Sequence, residues 1–192
     1  MQTATVDEIK LRDDAENYEL EYFKDMIFWP SSPILKPFLD SIRTPLGTNL
    51  SISISSYNFK IKKLRGGNIG RCNYKQRIIY IDPGFKTDKT VILHEMIHAY
   101  EMMLLQKRDE GQMMRDILFY SLYKNLEPKV RGIDNLITAH IGIHNQLQMN
   151  EKGGNHDMLF YLKSLDLDLR LKLPLGTIGG YLCQFYHAGE YD

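Results

Sequence analysis

Apolar residues surround almost the whole helical wheel between Val91 and Leu104. Val91, Ile92, Leu93, Met96, Ile97, Tyr100, Met103 and Leu104 leave little polar face, and a helix apolar nearly all round is a buried one. Thr87 or Asp88 stands where its N-cap belongs. Ahead of it the pattern shortens to a period of two. Asn49 to Ser55 alternates with Leu50, Ile52 and Ile54 on one side, which predicts a strand. Asn58 to Leu64 reads as another, and GGNIG as a flexible connection. Gly70 to Tyr74 and Arg77 to Asp82 pair as a hairpin across Lys75–Gln76. The second arm is rich in β-formers and stops at Pro83–Gly84.

Helical spacing governs both ends of the chain. Residues 1–16 read as a loose acidic start. Glu16 to Trp29 carries Tyr18, Tyr22, Met26 and Trp29 on one face and ends at Pro30. A second short helix fits 31–45. Further on, Glu110 to Asn125 and Asp134 to Met149 are apolar-periodic, Gly153–Gly154 breaks the pattern, and Asn155 caps a helix through Met158, Leu159, Tyr161 and Leu162. The tail after Pro174 has no assignable pattern. Helices, a small antiparallel sheet and more helices make an α+β layout.

Composition narrows the class without changing this outline. A chain of 192 residues with 43% hydrophobic and 25% charged content fits one globular domain with a sizeable core. No apolar run is long enough to span a bilayer, and the polar, acidic N-terminus lacks a secretory signal, so an intracellular protein with no membrane partner is expected. Two cysteines far apart, Cys72 and Cys183, cannot build a Cys-rich zinc module and read as free thiols.

Net charge is zero but unevenly spread. Residues 7–25 hold eight acids against three bases, and residues 58–81 hold seven bases and no acid. The basic block suits either a nucleic-acid footprint or the solvated, edge-protecting face of a strand, and the second is the simpler reading.

The buried helix carries the candidate chemistry. His94, Glu95 and His98 stand in the order H-E-x-x-H. Positions four apart differ by only ~40° around a helix, so both imidazoles reach one ion from one face. Zinc favours these ligands, and the intervening Glu serves as general base in such helices. A hydrolytic zinc site needs a third protein ligand and an open position. The candidates are Glu101, His140, His144, His156 and His187. Glu101 is on the face of His94 but roughly 10 Å of rise away, too far to share its ion. His140 and His144 are themselves four apart. His156 follows the Gly-Gly turn and opens a helix, where the neutral imidazole is favoured.

HEMIHAY together with GGNHDMLF resembles the SprT-like zinc metalloproteases, which include the Spartan-type DNA–protein crosslink proteases. That family has an H-E-x-x-H helix, then a Gly-rich turn, a third His ligand and a nearby Phe. The resemblance implies a zincin-like metalloprotease fold, zinc on His94, His98 and His156, Glu95 as general base, and Phe160 behind the third ligand. IGRCNYKQRIIYIDP is similar to the family's hairpin leading into the metal helix. The layout implied is N-terminal helices (1–45), sheet and metal helix (46–105), a helical insertion (106–150), and third-ligand helix and tail (151–192).

The chain also departs from the family. Fifty-seven residues separate His98 from His156, more than is usual there; Asp157 replaces the Gly after the third His; and no Cys pairs exist for a C-terminal zinc ribbon.

The expected reaction is peptide-bond hydrolysis on a protein or peptide substrate, held by strand addition along 70–82. Tyr100, Tyr181 and Tyr186 are available as oxyanion donors. Two rival classes remain: a zinc-containing binding protein or pseudoprotease, and a DNA-associated protease using the basic stretch.

Overall fold

A computed structural model describes residues 3–23, 53–106, 108–138 and 156–180. Residues 24–29 of the helix expected over Glu16–Trp29, the short helix expected at 31–45, the strand positions 49–52, His140, His144, Tyr181, Tyr186 and His187 lie outside them. The architecture is mixed α+β, with a three-stranded sheet and several helices. It divides into two compact units, Met1–Met114 and Arg115–Asp192. No described helix is long and apolar enough to cross a membrane.

The first unit opens with helix α1, Val6–Tyr22, where the sequence suggested a loose start. Thr5 and Glu8 form a reciprocal capping box, each side chain serving the other's backbone amide. The T-x-x-E signature was present in the sequence, hidden among the acids. The buried stripe of α1 is Glu8, Leu11, Ala15, Glu19 and Tyr22, so an acid stands near each end of an otherwise apolar face. Both carboxylates are satisfied by partners beyond α1. Glu8 accepts from Ile61 N–H and Lys60, and Glu19 from Ile54 N–H, Ser53 and Tyr100.

Strands β1 (Asn58–Ile61), β2 (Gly70–Asn73) and β3 (Ile78–Ile81) form a sheet in the order β1-β3-β2. The hairpin β2–β3 is antiparallel as expected, with Asn73 opposite Ile78, and Arg77 in a left-handed conformation closes its turn. The wholly antiparallel sheet expected from sequence is corrected: β1 runs parallel to β3. The crossover that allows this includes the 62–69 connection and β2 itself, so β1 and β3 are not hairpin neighbours. Ile54–Ser56 is a 3₁₀ turn rather than the end of a strand. Its Ile54 amide is taken by Glu19, so it does not join a ladder.

Phe59, Ile79 and Ile81 are buried on the inner face of the sheet, where helix α2, Lys89–Leu105, packs against β2 and β3. Asp88 caps α2 by accepting from Thr90 N–H, one of the two caps anticipated. Asp82, buried just before it, accepts from Leu64 and Gly84 amides and pairs with Lys63, fixing the entry into the helix.

Helix α3, Arg108–Leu126, carries the unit boundary. In the second unit a helical stretch occupies 133–138, and helix α4 runs Met158–Leu171. Its N-cap is Asp157, not Asn155. Every residue of α4 from Leu159 to Asp168 is buried, including Lys163, Asp166 and Asp168. The charges are met locally: Lys163 pairs with Asp166, and Asp168 accepts from Gly176 and Ile178 amides in the turns that follow.

Candidate metal centre

Along α2 the positions from Val91 to Glu101 are all buried except His94 and His98. Thr90 and Met102, four residues before and after that pair, are also half-buried. Between Thr90 and Leu104 the row 90-94-98-102 is therefore the partly open strip on a helix otherwise enclosed. The two imidazoles lie 5.0 Å apart between ring centres with planes at 76°.

Glu95 sits one residue round from the strip and is buried. Burial pushes its carboxyl up to about 8, opposed by the amide of Cys72 on β2. A cation on the neighbouring imidazoles would favour the carboxylate. Glu101 is also buried, with its carboxylate 3.7 Å from His98 Nδ1. It is excluded as a ligand beside His94 by helix rise, yet its place three residues after His98 suits it to orient that ring. A carboxylate on Nδ1 turns Nε2 outward as the ligand atom.

In the second unit His156 directly precedes the N-cap of α4 and is half-buried. Its ring stacks on Phe160 at 4.2 Å and 17°, the packing expected of that Phe. Asp157, which stands where the family pattern has Gly, has two partners. Its side chain accepts from Phe160 N–H as the cap and pairs with Arg115 of α3. Sequence reading had no role for Arg115; its partner is not visible without the fold.

His94, His98 and His156 make a group of the kind that can hold a metal ion, their ring nitrogens within 4.8 Å of one another. Three imidazoles are a ligand set that zinc accepts, leaving a fourth position for water or substrate.

Two residues near the centre change the expected picture. Tyr100 is removed from the list of oxyanion donors, because it is fully buried, stacks on Phe23 at 4.7 Å and directs its hydroxyl to Glu19. Cys72 is a free thiol pushed up to about 12 by burial and by the nearby Glu95 charge, which makes it a poor nucleophile.

No protein-family model, curated protein or solved structure matches the chain.

Proposed function

We propose that the chain is a zinc-dependent metallopeptidase of the SprT-like, zincin-like kind, with zinc on His94, His98 and His156 and Glu95 as general base. The observation that supports it best is the convergence of three imidazole nitrogens within 4.8 Å, two of them on a helix whose next residue is a buried glutamate. Zinc bound there supplies Lewis acidity, which lowers the pKa of a water and polarises a carbonyl. Glu95 accepts the proton of the attacking water and passes it to the leaving amine. His98 is oriented by Glu101, and His156 by its stack on Phe160.

The substrate on this reading is an extended peptide. Of the 70–82 region, β3 is covered on both sides by β1 and β2, so the dock narrows to the edge strand β2, Gly70–Asn73.

The test is zinc analysis of the purified chain, followed by hydrolysis of an unstructured protein such as casein. One zinc per chain, activity abolished by a chelator and restored by zinc, supports the reading. A chain that holds zinc but cleaves nothing is instead a zinc-containing binding protein.

A second reading, a protease acting on DNA-bound protein, has one observation in its favour. The outer face of the sheet sets Lys60, Tyr80 and Arg71 side by side in register, with Lys62 Nζ 5.8 Å over the Tyr80 ring. Cations around an aromatic ring suit single-stranded nucleic acid. Against it, Lys60 is paired with Glu8 and Lys63 with Asp82, so part of the basic block is already neutralised.

A further inference from the structure

Gly70 begins the edge strand beside α2, and a side chain there has no room. A Cβ at 70 would stand 2.5 Å from Glu95 Oε1, 2.7 Å from its Cγ and 2.9 Å from its Cδ. These distances are shorter than real Cβ atoms keep, and they involve the whole end of the Glu95 side chain. The backbone gives no separate reason for glycine. Gly70 is absent from the positive-φ glycines among the described residues, which are Gly66, Gly67, Gly132, Gly176 and Gly180. Its conformation is open to any residue. What excludes a side chain at 70 is Glu95.

Asp82 N–H bonds the Ile69 carbonyl at 2.9 Å, so residues 69, 71 and 73 exchange ladder bonds with β3. Gly70 and Cys72 then direct their main-chain groups off the free edge. The Cys72 amide is one of these, and it favours the Glu95 carboxylate against the effect of burial.

We infer that β2 is a positioning element for Glu95. Gly70 provides the notch that admits its carboxylate. Gly70 is thus a positioning residue, whose missing side chain acts through Glu95 and not on the metal. As to its catalytic consequence, the inference rests on the proposal that Glu95 is the base; the contact itself does not.

A double-mutant cycle tests it, using Gly70→Ala, Glu95→Asp and the pair, because residues in contact are non-additive. The first readout is the melting temperature of the chelator-treated full chain, which needs no metal and no activity. Gly70→Ala should lower it, and the same substitution should cost much less in the Glu95→Asp background, where the carboxylate is one methylene shorter. An equal decrement in both backgrounds would overturn the inference. The second readout is hydrolysis by the zinc-loaded chain. Gly70→Ala should lower kcat by about 100-fold, the scale of an ångström-level misplacement, with KM and zinc affinity nearly unchanged. An unchanged kcat, or a loss confined to KM or zinc affinity, would overturn the positioning role. If the unsubstituted chain is itself inactive, the functional proposal falls, and the melting cycle still decides the contact.

Discussion

His98 Nδ1 faces the carboxylate of Glu101 across 3.7 Å, one helical turn further along α2. Both are carried by one rigid helix, so the relationship does not depend on any loop. Glu101→Gln keeps the shape and removes the charge. With zinc bound as proposed, its affinity should fall about 10- to 100-fold, the usual cost of losing a carboxylate behind a ligating histidine. Competition with a chromophoric chelator measures this; an unchanged affinity would show that the carboxylate does not support His98.

Glu95→Gln should separate binding from chemistry. The amide is isosteric and the three imidazoles are untouched, so zinc content and melting temperature should hold. Hydrolysis should drop by roughly 10²- to 10⁴-fold, the range of general-base contributions. Near-normal turnover of casein by this variant would remove Glu95 from its assigned role.

Much of this centre was legible because α2 depends on local signals. Its apolar wrap, the Asp88 cap and the i,i+4 histidines all lie within one segment, and the fold agrees with them. The hairpin was legible for the same reason. What escaped was decided by distant partners. The alternating stretch ending at Ser55 departs from its strand pattern at Ile54, because Glu19 of α1 takes the Ile54 amide. The parallel pairing of β1 with β3 depends on strand order, which hydrophobic alternation does not encode. Gly70 reads as an ordinary turn glycine until Glu95 is seen against it. Glu101 is too far along the helix to share the ion of His94, but its i,i+3 spacing from His98 is itself a local signal of a supporting carboxylate.

Acid should loosen the entrance to α2. The Asp82 carboxyl is held below its ordinary value by the Leu64 and Gly84 amides, which with Lys63 outweigh the opposing effect of burial. A depressed folded-state pKa stabilises the fold above the unfolded value, near 3.8, and that stability is lost as pH falls through the folded pKa. Melting temperature should therefore decline below about pH 4, and Asp82→Asn should be less stable at neutral pH with a flatter acid limb. Parallel acid limbs for the two proteins would refute the assignment.

The DNA reading makes a separable claim about the outer face of the sheet. Lys62 and Arg71 flank Tyr80 there, whereas Lys63 is tied to Asp82. Lys62→Glu with Arg71→Glu should weaken binding to single-stranded DNA and lower the slope of log affinity against log salt by about 1 to 2. Reversing Lys63 alone should act mainly on stability. If the unsubstituted chain binds no DNA at moderate salt, the basic stretch is a solvated strand edge and the peptidase proposal stands without it.

The third ligand is the point at which the metal proposal is most exposed. Fifty-seven residues lie between His98 and His156, but loop closure over such a distance costs little more than over a shorter one, about 0.6 kcal/mol per doubling of length. Its ring is held locally by the Phe160 stack, and the next residue is fixed as the N-cap of α4 and by Arg115. A ligand so constrained loses little freedom when it binds. His156→Ala should therefore lower zinc affinity sharply and abolish hydrolysis. Phe160→Leu, which leaves the imidazole but removes the stack, should give an intermediate loss of affinity. His140→Ala and His144→Ala should leave both properties largely intact. Zinc titration of the purified variants decides between the candidates: if His156→Ala binds zinc like the unsubstituted chain while His140→Ala or His144→Ala does not, the ligand comes from the inserted segment and the resemblance to GGNHDMLF is misplaced.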